Sequence, residues 1–97
     1  MKPRKDKYLK ARGGKYKLYD MHCTECKTKL FIYQKDGPGV LKRCYLDRIL
    51  KRIKLGVTTQ YNICLDCKQR IGIPIIYKKE NRPAVRLFVG AIYKRGI

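Results

Sequence analysis

The residues able to do chemistry are two thiol hooks, Cys23-Thr24-Glu25-Cys26 and Cys64-Leu65-Asp66-Cys67. Two thiolates on one tight turn can grip a single divalent ion, and two such hooks complete a tetrahedral four-sulfur shell. Four thiolates leave no open position for an activated water, so this chemistry suits one structural Zn2+. The hooks are also copies. Cys-x-Glu-Cys-Lys-x-Lys-Leu-x-Ile over 23–32 returns as Cys-x-Asp-Cys-Lys-x-Arg-Ile-x-Ile over 64–73. A disulfide framework would suit an even cysteine count in a secreted chain, whereas five cysteines occur here, after a start, Met1-Lys2-Pro3-Arg4-Lys5, that carries no apolar signal stretch. A redox Cys-x2-Cys more often stands once, within a βαβ pattern that this sequence lacks. Unpaired thiols and no export signal lead us to expect a reducing, intracellular compartment.

The remaining chemistry is sparse. Cys44 lies in neither hook and reads as a small buried apolar residue. His22 adjoins a ligand, but four thiolates already close the shell, so it is expected to be a satisfied neighbour or an RNA contact. Serine and tryptophan are absent, and the seven acids are scattered without an acid–base pair. Asp47 is expected in a structural ion pair. No catalytic residues are expected.

Charge is the second strong signal. Lys and Arg number 25 against seven acids, a formal net charge of +18. Four metal-bound thiolates and one dication would leave about +16. So much charge on a small body favours a polyanionic partner. The cations fall in three groups. Arg4, Lys5, Lys7, Lys10, Arg12 and Lys15 lie on an N-terminal arm. Lys42, Arg43, Arg48, Lys51, Arg52 and Lys54 lie mid-chain, and Lys78, Lys79 and Arg82 lie in a late loop. RNA, DNA and an anionic membrane surface are the candidate partners, and all these cations are expected to contact the partner's phosphates. No long apolar run suggests a membrane span, and no small-molecule site is apparent.

The elements that must position these groups read mainly as β. Residues 1–15 form a basic arm, extended or disordered, with Pro3 and Gly13-Gly14 opposing a helix along its whole length. Residues 16–97 form one small domain. Alternation at 15–18 predicts a short strand into the first hook, and Leu30–Tyr33 a strand out of it. Asp36-Gly37-Pro38-Gly39 reads as a hairpin turn. Over 40–55, Leu41, Tyr45, Ile49 and Ile53 share a helical face, yet the turn before them argues for strand through about Leu46. Helix and strand remain open for 47–55. Residues 56–63 predict a strand into the second hook, and 71–77 an edge or bent strand because Pro74 cannot donate to a ladder. Ala84–Tyr93 reads as one terminal strand, with Val85, Leu87 and Val89 on one side.

Over about residues 16–93 the two hooks and their flanking strands resemble the zinc-ribbon family. The resemblance implies a small four-cysteine ribbon of antiparallel hairpins with a basic N-terminal extension. Many zinc knuckles place Gly after the second cysteine, where this chain has Lys27 and Lys68. Charge, arm and interleaved tyrosines look most like the small basic zinc-ribbon ribosomal proteins of the archaeal type. That likeness implies a structural constituent of the cytoplasmic ribosome, bound to ribosomal RNA and neighbouring ribosomal proteins, with Tyr8, Tyr16, Tyr19, Tyr33 or Tyr45 offered for stacking. The alternative is a zinc ribbon of transcription or RNA processing that binds nucleic acid and protein partners.

Overall fold

The computed structural model describes residues 2–97. One short helix, α1 (Lys7–Ala11), precedes nine strands: β1 (Tyr16–Cys23), β2 (Lys29–Asp36), β3 (Arg43–Tyr45), β4 (Ile49–Arg52), β5 (Leu55–Val57), β6 (Asn62–Cys64), β7 (Arg70–Tyr77), β8 (Arg82–Leu87) and β9 (Ile92–Gly96). A single 3-10 turn, Leu46–Arg48, separates β3 from β4. The strands form two sheets, β4-β2-β1-β9 and β3-β8-β7-β6-β5, and neighbours are antiparallel throughout. The fold is therefore mainly β, as its patterning predicts.

The duplication seen in the hooks extends through both sheets. Each hook turns between two antiparallel strands, β1 into β2 and the short β6 into β7. Phe31 pairs with Arg52 as Gly72 pairs with Leu87, which makes β8 the counterpart of β4. Cys23 pairs with Ile92 as Cys64 pairs with Leu55, which makes β9 the counterpart of β5. The outer strands are exchanged. After β4 the chain crosses to the second sheet and lays β5 beside β6; after β8 it crosses back and lays β9 beside β1. Neither half is complete without a strand from the other. Where the chain turns to cross, the Ile53 and Lys54 amides donate to the Leu30 carbonyl, and the Phe88 amide donates to that of Ile71. Leu30 and Ile71 are equivalent in the repeat and both are fully buried.

The core lies between the sheets, around Met21, Leu30, Phe31, Tyr33, Cys44, Leu55, Ile71 and Ala91. Each large apolar side chain buried there contributes about 1.5–3 kcal/mol. Among the described residues no helix is long and apolar enough to cross a membrane.

Five local expectations are corrected. Residues 2–15 are not extended throughout. Asp6 caps α1 by accepting from the Tyr8 and Leu9 amides at 3.0 and 3.3 Å, Leu9 is buried, and Gly13 and Gly14 end the helix at φ +95° and +78°. The Asp36–Gly39 turn closes no hairpin: it carries the chain out of β2 into β3, in the other sheet. Residues 55–64 are a tight hairpin, β5–β6, turned by Thr58, whose hydroxyl accepts from the Tyr61 amide at 3.0 Å. Residues 84–93 are two strands in different sheets, because Val89-Gly90 turns with Gly90 at φ +76°. The open stretch 47–55 resolves into the 3-10 turn, β4 and the start of β5. The strand over 71–77 is not at a sheet edge, since β7 lies between β8 and β6; Pro74 is tolerated there because β6 pairs with β7 only at Arg70 and Gly72.

Candidate metal centre and basic surface

Both hooks are built by the same backbone bonds. The Cys23 amide donates to the Thr28 carbonyl and the Lys27 amide to the Cys23 carbonyl, each at 2.9 Å. Cys64 and Gln69, and Lys68 and Cys64, repeat this pattern at 2.9 and 2.8 Å. The turn needs a left-handed residue after its second cysteine. Lys27 and Lys68 take that conformation, at φ +64° and +65°, so the expected knuckle geometry survives without glycine. The crossing segments brace both hooks alike, for the Ala91 carbonyl accepts from Thr24 and the Lys54 carbonyl from Leu65.

The strand exchange brings the hooks face to face. All four sulfurs lie within 4.8 Å of one another. Cys23 and Cys67 approach to 3.6 Å, as do Cys26 and Cys64. A tetrahedron with metal–sulfur bonds of about 2.3 Å has sulfur–sulfur edges of about 3.8 Å. The cysteines are free thiols, too far apart for disulfides. Four crowded thiols cannot all ionise without a cation. Hydrogen bonding to the side chain and backbone of Thr28 brings Cys26 down to about 6. The Gln69 amide pulls Cys67 down, but burial and its three thiol neighbours outweigh it and push it up to about 12. A bound dication would remove that conflict. Outside the shell, Thr28 Oγ1 lies 3.2 Å from Cys26 Sγ and donates to Asp66 Oδ2 at 2.8 Å, joining one hook to the other. These four cysteines form a cluster with the geometry to hold one metal ion.

The other two candidates lie outside it. His22 Nδ1 donates to the Lys27 carbonyl at 3.1 Å, and its ring stacks on Tyr93 at 5.2 Å. Cys44 is fully buried on β3, and burial pushes its thiol up. It belongs to the core.

The predicted RNA-contacting cations divide sharply. Arg4, Lys5, Lys7, Lys10, Lys15, Lys42, Lys51, Arg52, Lys54, Lys78 and Lys79 are exposed. Arg43 is half-buried, over the Tyr77 ring at 4.2 Å. Arg48, Arg82 and Arg12 require correction. Arg48 is 1 % exposed and held by Asp36 at 2.8 Å and Asp6 at 2.6 Å. Arg82 pairs with Asp47 at 2.6 Å and Glu80 at 3.1 Å, between the rings of Tyr8 and Tyr45. Arg12 pairs with Glu80 at 2.9 Å. These three arginines fasten the arm to the sheets, helped by buried Gln34, which exchanges hydrogen bonds with the Arg4 backbone at 2.6 and 2.8 Å. Asp47 is in the structural ion pair expected of it. Tyr8, Tyr33 and Tyr45 are engaged inside the fold.

Sequence reasoning passed over Lys17, Lys35 and Lys94. Alternation at 15–18 was the available signal for Lys17; the register that sets Lys17 opposite Lys35 and the reach of Lys94 to the Tyr19 ring were not legible.

No protein-family model, curated protein or solved structure matches this chain.

Proposed function

We propose that this protein is a structural, RNA-bound zinc-ribbon protein, a constituent of the ribosome of the small archaeal type. One zinc ion in the Cys23, Cys26, Cys64 and Cys67 shell would hold the exchanged halves together. That site supplies on the order of 10 kcal/mol or more of folding free energy, which a core this small needs. Zinc suits the shell because it prefers tetrahedral thiolate ligation and has no redox chemistry. The role is architectural rather than catalytic, set in the cytoplasm, without a membrane or small-molecule substrate.

One observation carries the RNA reading. Six of the seven acids, Asp6, Asp20, Asp36, Asp47, Asp66 and Glu80, are committed to internal ion pairs. They engage Arg12, Lys29, Arg48, Lys54 and Arg82, which leaves 20 of the 25 cations unpaired among the described residues. A surface of that kind repels itself unless phosphates neutralise it.

A second reading, a ribbon of transcription or RNA processing, is favoured by an open groove of about 910 Å³ lined by Leu41, Ile75, Ile76, Leu87, Phe88 and Val89. Such a groove suits a protein contact, which a neighbouring ribosomal protein would also supply.

Sedimentation of a native lysate decides between them. Stoichiometric co-migration with a ribosomal particle that withstands high salt is the expected result. A protein that runs free, or leaves with salt, would overturn the ribosomal reading and favour the second.

A further inference from the structure

At the end of the first sheet away from the cysteines, three ammoniums crowd one face. Lys17 on β1 stands directly opposite Lys35 on β2. Like charges so placed destabilise a sheet, whereas opposite charges would stabilise it. Lys94 on β9 joins them, its ammonium 4.9 Å from the Tyr19 ring centre. Burial, then the neighbouring Lys94 and Lys17, hold the Lys35 ammonium below its ordinary value, against the pull of Asp36. Asp36 is already engaged by Arg48 and by the Gln34 amide. No ion pair relieves Lys17, Lys35 or Lys94 among the described residues.

These lysines edge a concave basin of about 600 Å³. Its wall is mostly apolar, from Tyr19 and the Gly37-Pro38-Gly39 turn. The turn holds its shape because Gly37 and Gly39 take φ of +70° and +109° and the Lys35 ammonium donates to the Gly37 carbonyl at 2.7 Å. A recess of this size accepts one nucleotide unit. Crowded cations beside an aromatic wall match the two halves of that unit, a phosphate and a flat base.

We propose that this basin is a nucleotide site for single-stranded RNA, seating a phosphate among Lys17, Lys35 and Lys94 and an unstacked base against Tyr19 and Pro38. The inference rests on the RNA-binding reading above and adds the form of RNA and the place. A paired base cannot leave its stack to enter a recess, so duplex RNA reaches only the outer cations.

The test uses the zinc-loaded full chain, with a short labelled single-stranded RNA of mixed sequence and the matching duplex, followed by anisotropy across a salt series. The wild type should prefer the single strand. Lys17→Gln/Lys35→Gln/Lys94→Gln should weaken single-strand binding at least about tenfold and lower the salt slope by about 0.7 for each phosphate no longer neutralised. Lys51→Gln/Lys78→Gln/Lys79→Gln removes the same charge elsewhere and should cost clearly less. Tyr19→Leu should weaken the single strand about fivefold or more and the duplex little. Because the basin variant relieves repulsion, its melting temperature should not fall, which separates impaired binding from impaired folding. Equal losses in the two triple variants, or no preference for single strands, would overturn the basin while leaving the RNA reading standing. A wild type that binds neither RNA would overturn both.

Discussion

Arg48 and Asp36 form a buried ion pair, Nε to Oδ2 at 2.8 Å, with side chains 1 % and 4 % exposed. Asp6 completes the arrangement at 2.6 Å while also capping α1. One arginine thus joins the arm, β2 and the 3-10 turn. Its charge serves the fold, although its neighbours in sequence, Lys51 and Arg52, face solvent.

Arg48→Ala should therefore cost about 3–5 kcal/mol, because it strands the Asp36 carboxylate in a buried place. Arg52→Ala should cost less than about 0.5 kcal/mol. Urea denaturation of the zinc-loaded protein measures both. Comparable losses for the two would show that Arg48 is not the anchor described.

The same contacts make arm docking depend on acid. Hydrogen bonding from Arg48, opposed by burial, brings Asp6 down to about 2 from an ordinary value near 3.8. A depressed carboxylate adds stability that is fully present above its unfolded value and is lost as pH falls through the folded one. The stability difference between wild type and Asp6→Asn should be constant from pH 5 to 8. Melting curves of the zinc-loaded pair from pH 8 to 5, above the range in which acid strips a four-thiolate site, test this, and a difference that already shrinks between pH 7 and 5 would contradict it.

Gly72 occupies the place in the second repeat that Phe31 holds in the first. A Cβ there would collide with the Arg86 carbonyl oxygen and meet Val85 Cγ1 at 2.8 Å, so β7 and β8 would have to separate. Gly72→Ala should cost about 1–3 kcal/mol. Gly96→Ala, with open space around it, should be nearly neutral. Thermal melts of the two variants provide the comparison.

Metal ligation and core packing should separate cleanly among the cysteines. Cys44→Ala should keep one zinc per chain by native mass spectrometry, whereas Cys64→Ala should lose the ion and the cooperative unfolding transition. In the zinc-loaded protein Cys44 should resist iodoacetamide at neutral pH, since burial pushes its thiol up. Cys44→Ser should cost about 1–3 kcal/mol by burying a hydroxyl in its place. Zinc loss in Cys44→Ala would contradict the four-ligand shell.

The convergence of the four hook cysteines, the mainly β character and the strands flanking each hook were all legible in the sequence. Each depends on local chemistry: ligand type and spacing, or alternation over a few residues. The repeat itself was visible only over 23–32 and 64–73. There the hook turn and the first positions of the following strand constrain side chains directly. The exchange of β5 and β9 left no such mark, because a β ladder is held by backbone amides and carbonyls, and Leu55 or Ile92 satisfies the same register. The division of the cations was hidden for a related reason. Arg48 and Arg52 look alike along the chain, and only packing shows that one meets two carboxylates away from water while the other meets none. Type and spacing determined which cysteines could hold a metal and that the chain would carry a large excess of cations. Tertiary structure decided which of those charges remain unpaired, since burial and pairing are relations between residues far apart in sequence.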